Sequence, residues 1–170
     1  VRDDGGTANG GADLDPTPNQ LTFDVTSVND SPSGADFSMT TLEDTPVVLA
    51  ATDFGFSDSA DSPANLFLST KIVTLPAAGA LTLSGVSVAA GDFISRSDLD
   101  AGRLVFTPAL NANGANYASF TFAVRDDGGT ASGGVDLDPT PNRLTFDVTS
   151  VNDAPSGADF SMTTLEDTSV

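Results

Sequence analysis

The chain repeats itself, and the length of the repeat limits what it can fold into. The stretch from Val1 to Val47 returns from Val124 to Val170 with five changes: Asn9/Ser132, Ala12/Val135, Gln20/Arg143, Ser31/Ala154 and Pro46/Ser169. The period is 123 residues, so the 170-residue chain holds one full period and about a third of another. Solenoid units run to about 20–50 residues, and a longer period implies a unit with its own core. The chain is expected to be a run of tandem domains. Val1-Arg2-Asp3-Asp4 is neither a signal peptide nor a natural start, and is expected to be a cut through something longer.

Hydrophobic periodicity gives the phase of the unit. Leu144-Thr145-Phe146-Asp147-Val148-Thr149 alternates apolar and polar, as a half-buried strand does, and Leu21 to Thr26 carries the same six residues. Phe120 to Val124 alternates likewise. Leu66 to Leu75 puts Leu68, Thr70 and Ile72 on one side, and Arg103 to Thr107 is closed by Pro108. Leu81-Thr82-Leu83, Ser84-Gly85 and Val86-Ser87-Val88 spell a tight hairpin. Phe37 to Leu42 and Val47 to Ala51 supply the first strands. No stretch holds a helical period beyond a turn, the best being Ser97-Asp98-Leu99-Asp100. About seven short strands between Gly, Pro, Asn and Asp turns predict an all-β fold, a Greek-key β-sandwich of the immunoglobulin kind. Asn29-Asp30-Ser31-Pro32, repeated as Asn152-Asp153-Ala154-Pro155, marks the boundary, because its Pro ends a ladder. Residues 30–152 are then one complete domain. Residues 1–29 are the last strand and long loop of a preceding repeat, and 153–170 are the first strand of the following one.

Composition removes whole classes of chemistry. With no Cys and no His, thiol nucleophiles, Ser-His-Asp triads, N/S zinc sites and disulfides are excluded. A net charge of −18, from 24 acidic and 6 basic residues, argues against nucleic acid as a partner. No stretch approaches the ~20 apolar residues of a membrane span, so no membrane insertion is expected. Of the acids, 22 are Asp and two are Glu (Glu43 and Glu166), a bias that solubility does not explain, since Glu serves it equally well.

Phe122-Ala123-Val124-Arg125-Asp126-Asp127-Gly128-Gly129, the strand from Arg143 to Val151 and the Asn152-Asp153-Ala154-Pro155 linker resemble the end of a cadherin repeat. More closely, the whole unit is similar to the cadherin-like (immunoglobulin-like) tandem repeats of giant bacterial RTX-type surface adhesins. Thr41-Leu42-Glu43-Asp44-Thr45-Pro46, Ala78 to Val86, and Phe106-Thr107-Pro108 with Asn113-Gly114 carry that likeness. The resemblance implies an extracellular β-sandwich extender, secreted or held at the bacterial cell surface, with Ca2+ at or near domain junctions. It departs from cadherins at Ser150 (and Ser27), where their linker carries an Asp, so one calcium ligand is missing.

Calcium takes 6–8 oxygens, chiefly from Asp, Glu, Asn and carbonyls. The candidates are Asn29 and Asp30 in the incoming linker, Asn152 and Asp153 in the outgoing one, Glu43 and Asp44 after the first strand, and Asp58 and Asp61 in the Gly55-to-Asn65 loop. Asp126, Asp127, Asp136 and Asp138 lie in a loop of about 17 residues before the last strand. By cadherin analogy Asp126 or Asp127 would meet the incoming linker, and Glu43 with Asp58 or Asp61 the outgoing one. The plain alternative is that these Asp residues are turn formers, bonding their local backbone without metal. Residues 30–152 carry 15 acids and 5 bases, about −10 per repeat, so unbridged junctions would repel one another.

Other sites weaken on inspection. Asn29-Asp30-Ser31 is a formal glycosylation sequon, but the second copy reads Asn152-Asp153-Ala154 and lacks it. Paired carboxylates for glycoside cleavage would make every repeat a hydrolase, so a non-enzymatic module is expected. The function expected is an extender of a large adhesin, contacting neighbouring repeats of its own chain and projecting a binding domain from the cell, a role suited to biofilm. The alternatives are a repeated glycan- or cell-binding module, or a subunit of a surface filament or sheath with lateral or head-to-tail self-association.

Overall fold

The computed structural model describes residues 1–167. The described residues are mostly β: nine strands in two sheets, with one short α-helix. The strands are β1 (Phe37–Leu42), β2 (Val47–Val48), β3 (Phe67–Ile72), β4 (Ala80–Leu83), β5 (Val86–Ser87), β6 (Phe93–Ser95), β7 (Leu104–Thr107), β8 (Gly114–Asp126) and β9 (Asn142–Thr149). One sheet has the order β1-β9-β8-β3-β6, the other β2-β7-β4-β5. β1 and β9 run parallel in register from Phe37↔Leu144 to Leu42↔Thr149, and every other pair is antiparallel.

Alternation decides which face of each strand meets the core. Phe120, Phe122 and Val124 of β8 and Leu144, Phe146 and Val148 of β9 point inward and are buried. Leu104 and Phe106 of β7 answer them from the other sheet, and the rings of Phe106 and Phe146 stack at 3.7 Å across the interior. Phe54, from a short 3-10 turn at Ala51–Phe54, packs edge-on against Phe122 at 4.8 Å. Both sheets thus bury their apolar faces in one shared core.

Several local features follow the sequence closely. Ser84 and Gly85 turn the β4–β5 hairpin with φ of 51° and 81°, the paired positive values of a two-residue turn. Helix α1 (Arg96–Asp100) is one turn, capped by Ser95, whose hydroxyl accepts from the Asp98 amide at 3.1 Å. In β3 an irregularity between Phe67 and Ser69 shifts the pattern, so that Phe67 is buried and Leu68 stands out. The side of β3 assigned to Leu68, Thr70 and Ile72 therefore holds only for the last two.

The two partial copies differ from expectation. Leu21–Thr26 forms no strand, and neither do residues 160–165, although the sequences match β9 and β1. A strand needs ladder partners. The matching β9 is flanked by β8 and β1, whereas no strand among the described residues pairs with Leu21–Thr26. The last three positions of the following repeat, 168–170, with Ser169, lie outside the described residues.

Candidate functional site

Strand β8 is 13 residues long, about 40 Å at the usual rise, and the candidate acids gather beyond its two ends. At the Asp126 end, the side-chain nitrogen of Asn29 donates to Asp126 Oδ1 at 3.1 Å and to the Val135 carbonyl at 2.7 Å. Asn65 donates to Asn29 Oδ1 and, at 3.3 Å, to Asp61 Oδ2, while the Asp30 amide donates to Asp61 Oδ2 at 3.0 Å. The Asn65 amide donates to Asp58 Oδ2 at 2.5 Å, and Asp127 and Leu66 exchange hydrogen bonds. Gly128 makes this approach possible: a Cβ there would collide with Asn29 Oδ1.

Two carboxylates at this end are held out of water. Asp126 is fully buried, and burial pushes its carboxyl above the ordinary range. The Gly128 amide and Asn29 pull it back, and the charges of Asp58 and Asp136 push it up again. Asp58 is 7% exposed, and its Oδ1 has no hydrogen-bond partner among the described residues. A buried, unpaired carboxylate oxygen beside a second buried carboxylate is an uncompensated cost.

At the Gly114 end, Glu43 is buried. Its Oε2 accepts from Asn113 at 2.8 Å and its Oε1 from the Val151 amide at 2.5 Å, which holds its carboxyl below the usual range. Asp44 Oδ1 accepts from the Asn111 amide at 2.9 Å. The Asn111 side chain lies between two acids: with its nitrogen turned toward them it donates to Asp44 Oδ2 at 3.2 Å and to Asp153 Oδ2 at 3.3 Å. The Asn152 side chain donates to the neighbouring Asp153 carbonyl.

The structure places two pairs of the candidate acids in more detail than the sequence does. Asp58 and Asp61 sit with Asn29 and Asp30 at the incoming end, not with Glu43 at the outgoing one, because the loop between Gly55 and Asn65 folds back onto Ser33. Asp136 and Asp138 are paired within the domain. Asp136 forms an ion pair with Arg125 at 2.6 Å, and Asp138 accepts from the Gly34 and Thr140 amides at 2.8 Å each. Asn65, Asn111 and Asn113 were missed. The signal was there, since an amide beside an Asp cluster supplies both a donor and an oxygen.

Glu43, Asp44, Asp58, Asp61, Asp126 and Asp127 each accept from at least one amide, and among the described residues no three acids converge on one point fit to hold a metal ion. The donor set is nonetheless all oxygen, which is what a hard divalent cation takes, and the orphaned Asp58 oxygen is the group such an ion would satisfy. The Asn29 side chain is occupied by Asp126 and Val135, so its sequon is not presented as a free surface amide. No helix among the described residues is long and apolar enough to cross a membrane. No family model, curated protein or solved structure matches the chain.

Proposed function

We propose that this chain is a stretch of a non-enzymatic extender: Greek-key β-sandwich domains in tandem, stiffened by Ca2+ where they meet, serving a secreted or cell-surface adhesin. One observation carries the reading. The linker pair occurs twice, and each copy lies against a different end of the same unit: Asn29-Asp30 against Asp61, Asn65 and Asp126, and Asp153 against Asn111, which also reaches Asp44. Because the copies are equivalent by the 123-residue repeat, one linker in an array would lie against both sets at once. That brings together oxygens from Asp44, Asn111 and Glu43 of one domain with Asn29, Asp30, Asp58, Asp61 and Asp126 of the next, enough to fill a calcium shell.

The strand order supports the sandwich, since β1, β3 and β6 alternate between sheets with β2, β4 and β7. Electrostatics supports the mechanical role. About −10 per repeat makes adjoining ends repel, and a divalent cation shared between them converts a repulsive hinge into a joint. The partners are then neighbouring repeats of the same chain.

Small-angle scattering on a protein carrying two consecutive 30–152 units tests this. The expected result is a longer maximum dimension in calcium than in EDTA, with calorimetry showing calcium uptake. Equal lengths in both buffers, with no heat of binding, would sink the reading.

A further inference from the structure

We infer that the parallel β1–β9 ladder, latched at each end by a carboxylate, is the clamp through which this domain withstands tension along the chain. The inference rests on the extender reading, since only a chain held at both ends feels tension, and it concerns how the fold resists that tension. The chain reaches β1 from Asp30 and leaves β9 toward Asn152, and the two strands are neighbours running the same way. A pull on the two linkers therefore slides β1 against β9 along their common axis. All six residue pairs from Phe37↔Leu144 to Leu42↔Thr149 are strained together rather than opened one after another.

The latches lie where such a ladder would begin to fray. Past Leu42 the Glu43 amide donates to the Thr149 carbonyl at 2.9 Å, so the backbone ladder runs one step beyond the strand. The next donor, the Val151 amide, belongs to the departing linker and finds no backbone acceptor in β1. The Glu43 carboxylate takes it instead at 2.5 Å, and Asn113 steadies that carboxylate from the start of β8. At the opposite end the Arg143 amide donates to Asp36 Oδ1 at 2.7 Å, one residue before β1 begins. A carboxylate is a stronger acceptor than a carbonyl. Glu43 is buried and Asp36 exposed, so the Glu43 latch is the stronger of the two.

Force spectroscopy on the full chain tests this, and the absence of cysteine makes engineered handles unique. Ser27→Cys with Ser156→Cys pulls through both linkers and shears the ladder. Ser27→Cys with Thr140→Cys pulls β1 away from the start of β9 and unzips it. All measurements are made in EDTA, so that a metal joint cannot stand in for the clamp. At equal force the sheared domain should outlive the unzipped one by about tenfold or more. Glu43→Ala should shorten the sheared lifetime about tenfold and leave the unzipped one unchanged, as expected for a lost charge-assisted hydrogen bond. Glu43→Gln, which keeps an acceptor oxygen, should restore most of the lifetime, and circular dichroism checks that each variant folds. Equal lifetimes in the two geometries, or a Glu43→Ala lifetime unchanged under shear, would overturn the clamp. Neither outcome bears on whether calcium lengthens the array, so the two readings fail separately.

Discussion

Leu144, Phe146 and Val148 are buried in β9, whereas Leu21, Phe23 and Val25, in the same run of six residues, are 77%, 78% and 91% exposed and belong to no strand. The loops just before them behave oppositely. Arg2 pairs with Asp13 at 2.7 Å and Arg125 with Asp136 at 2.6 Å, and Arg2 bridges Leu14 as Arg125 bridges Leu137. Asn9 and Ser132 both take a left-handed conformation, with φ of 55° and 58°. The loop is therefore written in its own residues and forms wherever they occur. The strand is not: its hydrogen bonds and its core both come from β8, β1 and the opposite sheet, which the first copy lacks.

The sharpest way to break that contrast is to truncate the same ring in both copies. Phe146→Ala opens a cavity against Phe106 and Phe120 and is expected to cost about 3–5 kcal/mol, read by urea denaturation. Phe23→Ala, in solvent, should stay within about 0.5 kcal/mol of the parent. Equal costs would mean that the first copy also packs a core.

Removing the loop arginines comes next. Arg125→Ala leaves the buried Asp136 unpaired. Because the Arg125 side chain is 38% exposed, the expected loss is discounted for solvent to about 1 kcal/mol by the same assay. Arg2→Ala should loosen its own loop and leave the global transition where it was, since the Arg2 side chain is 73% exposed and that loop is joined to no core.

A smaller effect separates Asp126 from its twin Asp3. Burial raises the Asp126 carboxyl in the folded protein, so its contribution to stability is fully present below the unfolded value and is lost as pH rises through the folded one. At neutral pH in EDTA, Asp126→Asn should therefore raise the melting temperature by a few degrees, with the gain vanishing in acid. Asp3→Asn, in an exposed loop, should leave the melting temperature where it was. Glu43 titrates with the other sign. Its carboxyl is lowered by Asn113 and the Val151 amide, so its contribution is present above the unfolded value and lost as pH falls through the folded one.

The smallest expected change tests the loop itself. Ser132→Asn gives the second loop the residue of the first, and Asn tolerates a positive φ better than Ser. A gain of a few tenths of a kcal/mol is expected, measured as a shift in the urea midpoint. A loss would show that the two loops are not equivalent.

These contrasts explain what the sequence could and could not convey. Alternation located β9 and the end of β8, because a buried face imposes a period of two, and the Ser84-Gly85 turn located the β4–β5 hairpin. Alternation missed β6 (Phe93–Ser95), which is only three residues long and sits at the edge of its sheet. It also made Leu21–Thr26 a strand, since periodicity records which face could be buried and not whether a neighbour exists to bury it. At the candidate site, the cadherin resemblance implied Asp126 or Asp127 beside the incoming linker, and Asn29 donates to Asp126. The seating of Asp58 and Asp61 was not legible, because it depends on how a long loop returns to Ser33. The roles of Asn65, Asn111 and Asn113 depend on distances between carboxylates that only the fold creates.

Residue-resolved amide hydrogen exchange on the full chain tests most directly the claim that one sequence is a strand in its second copy and not in its first. Protection of Leu144, Phe146 and Val148 should approach the global stability of the domain, while the amides of Leu21, Phe23 and Val25 should exchange at nearly the rate of an unstructured peptide. Comparable protection in the two copies would contradict the account.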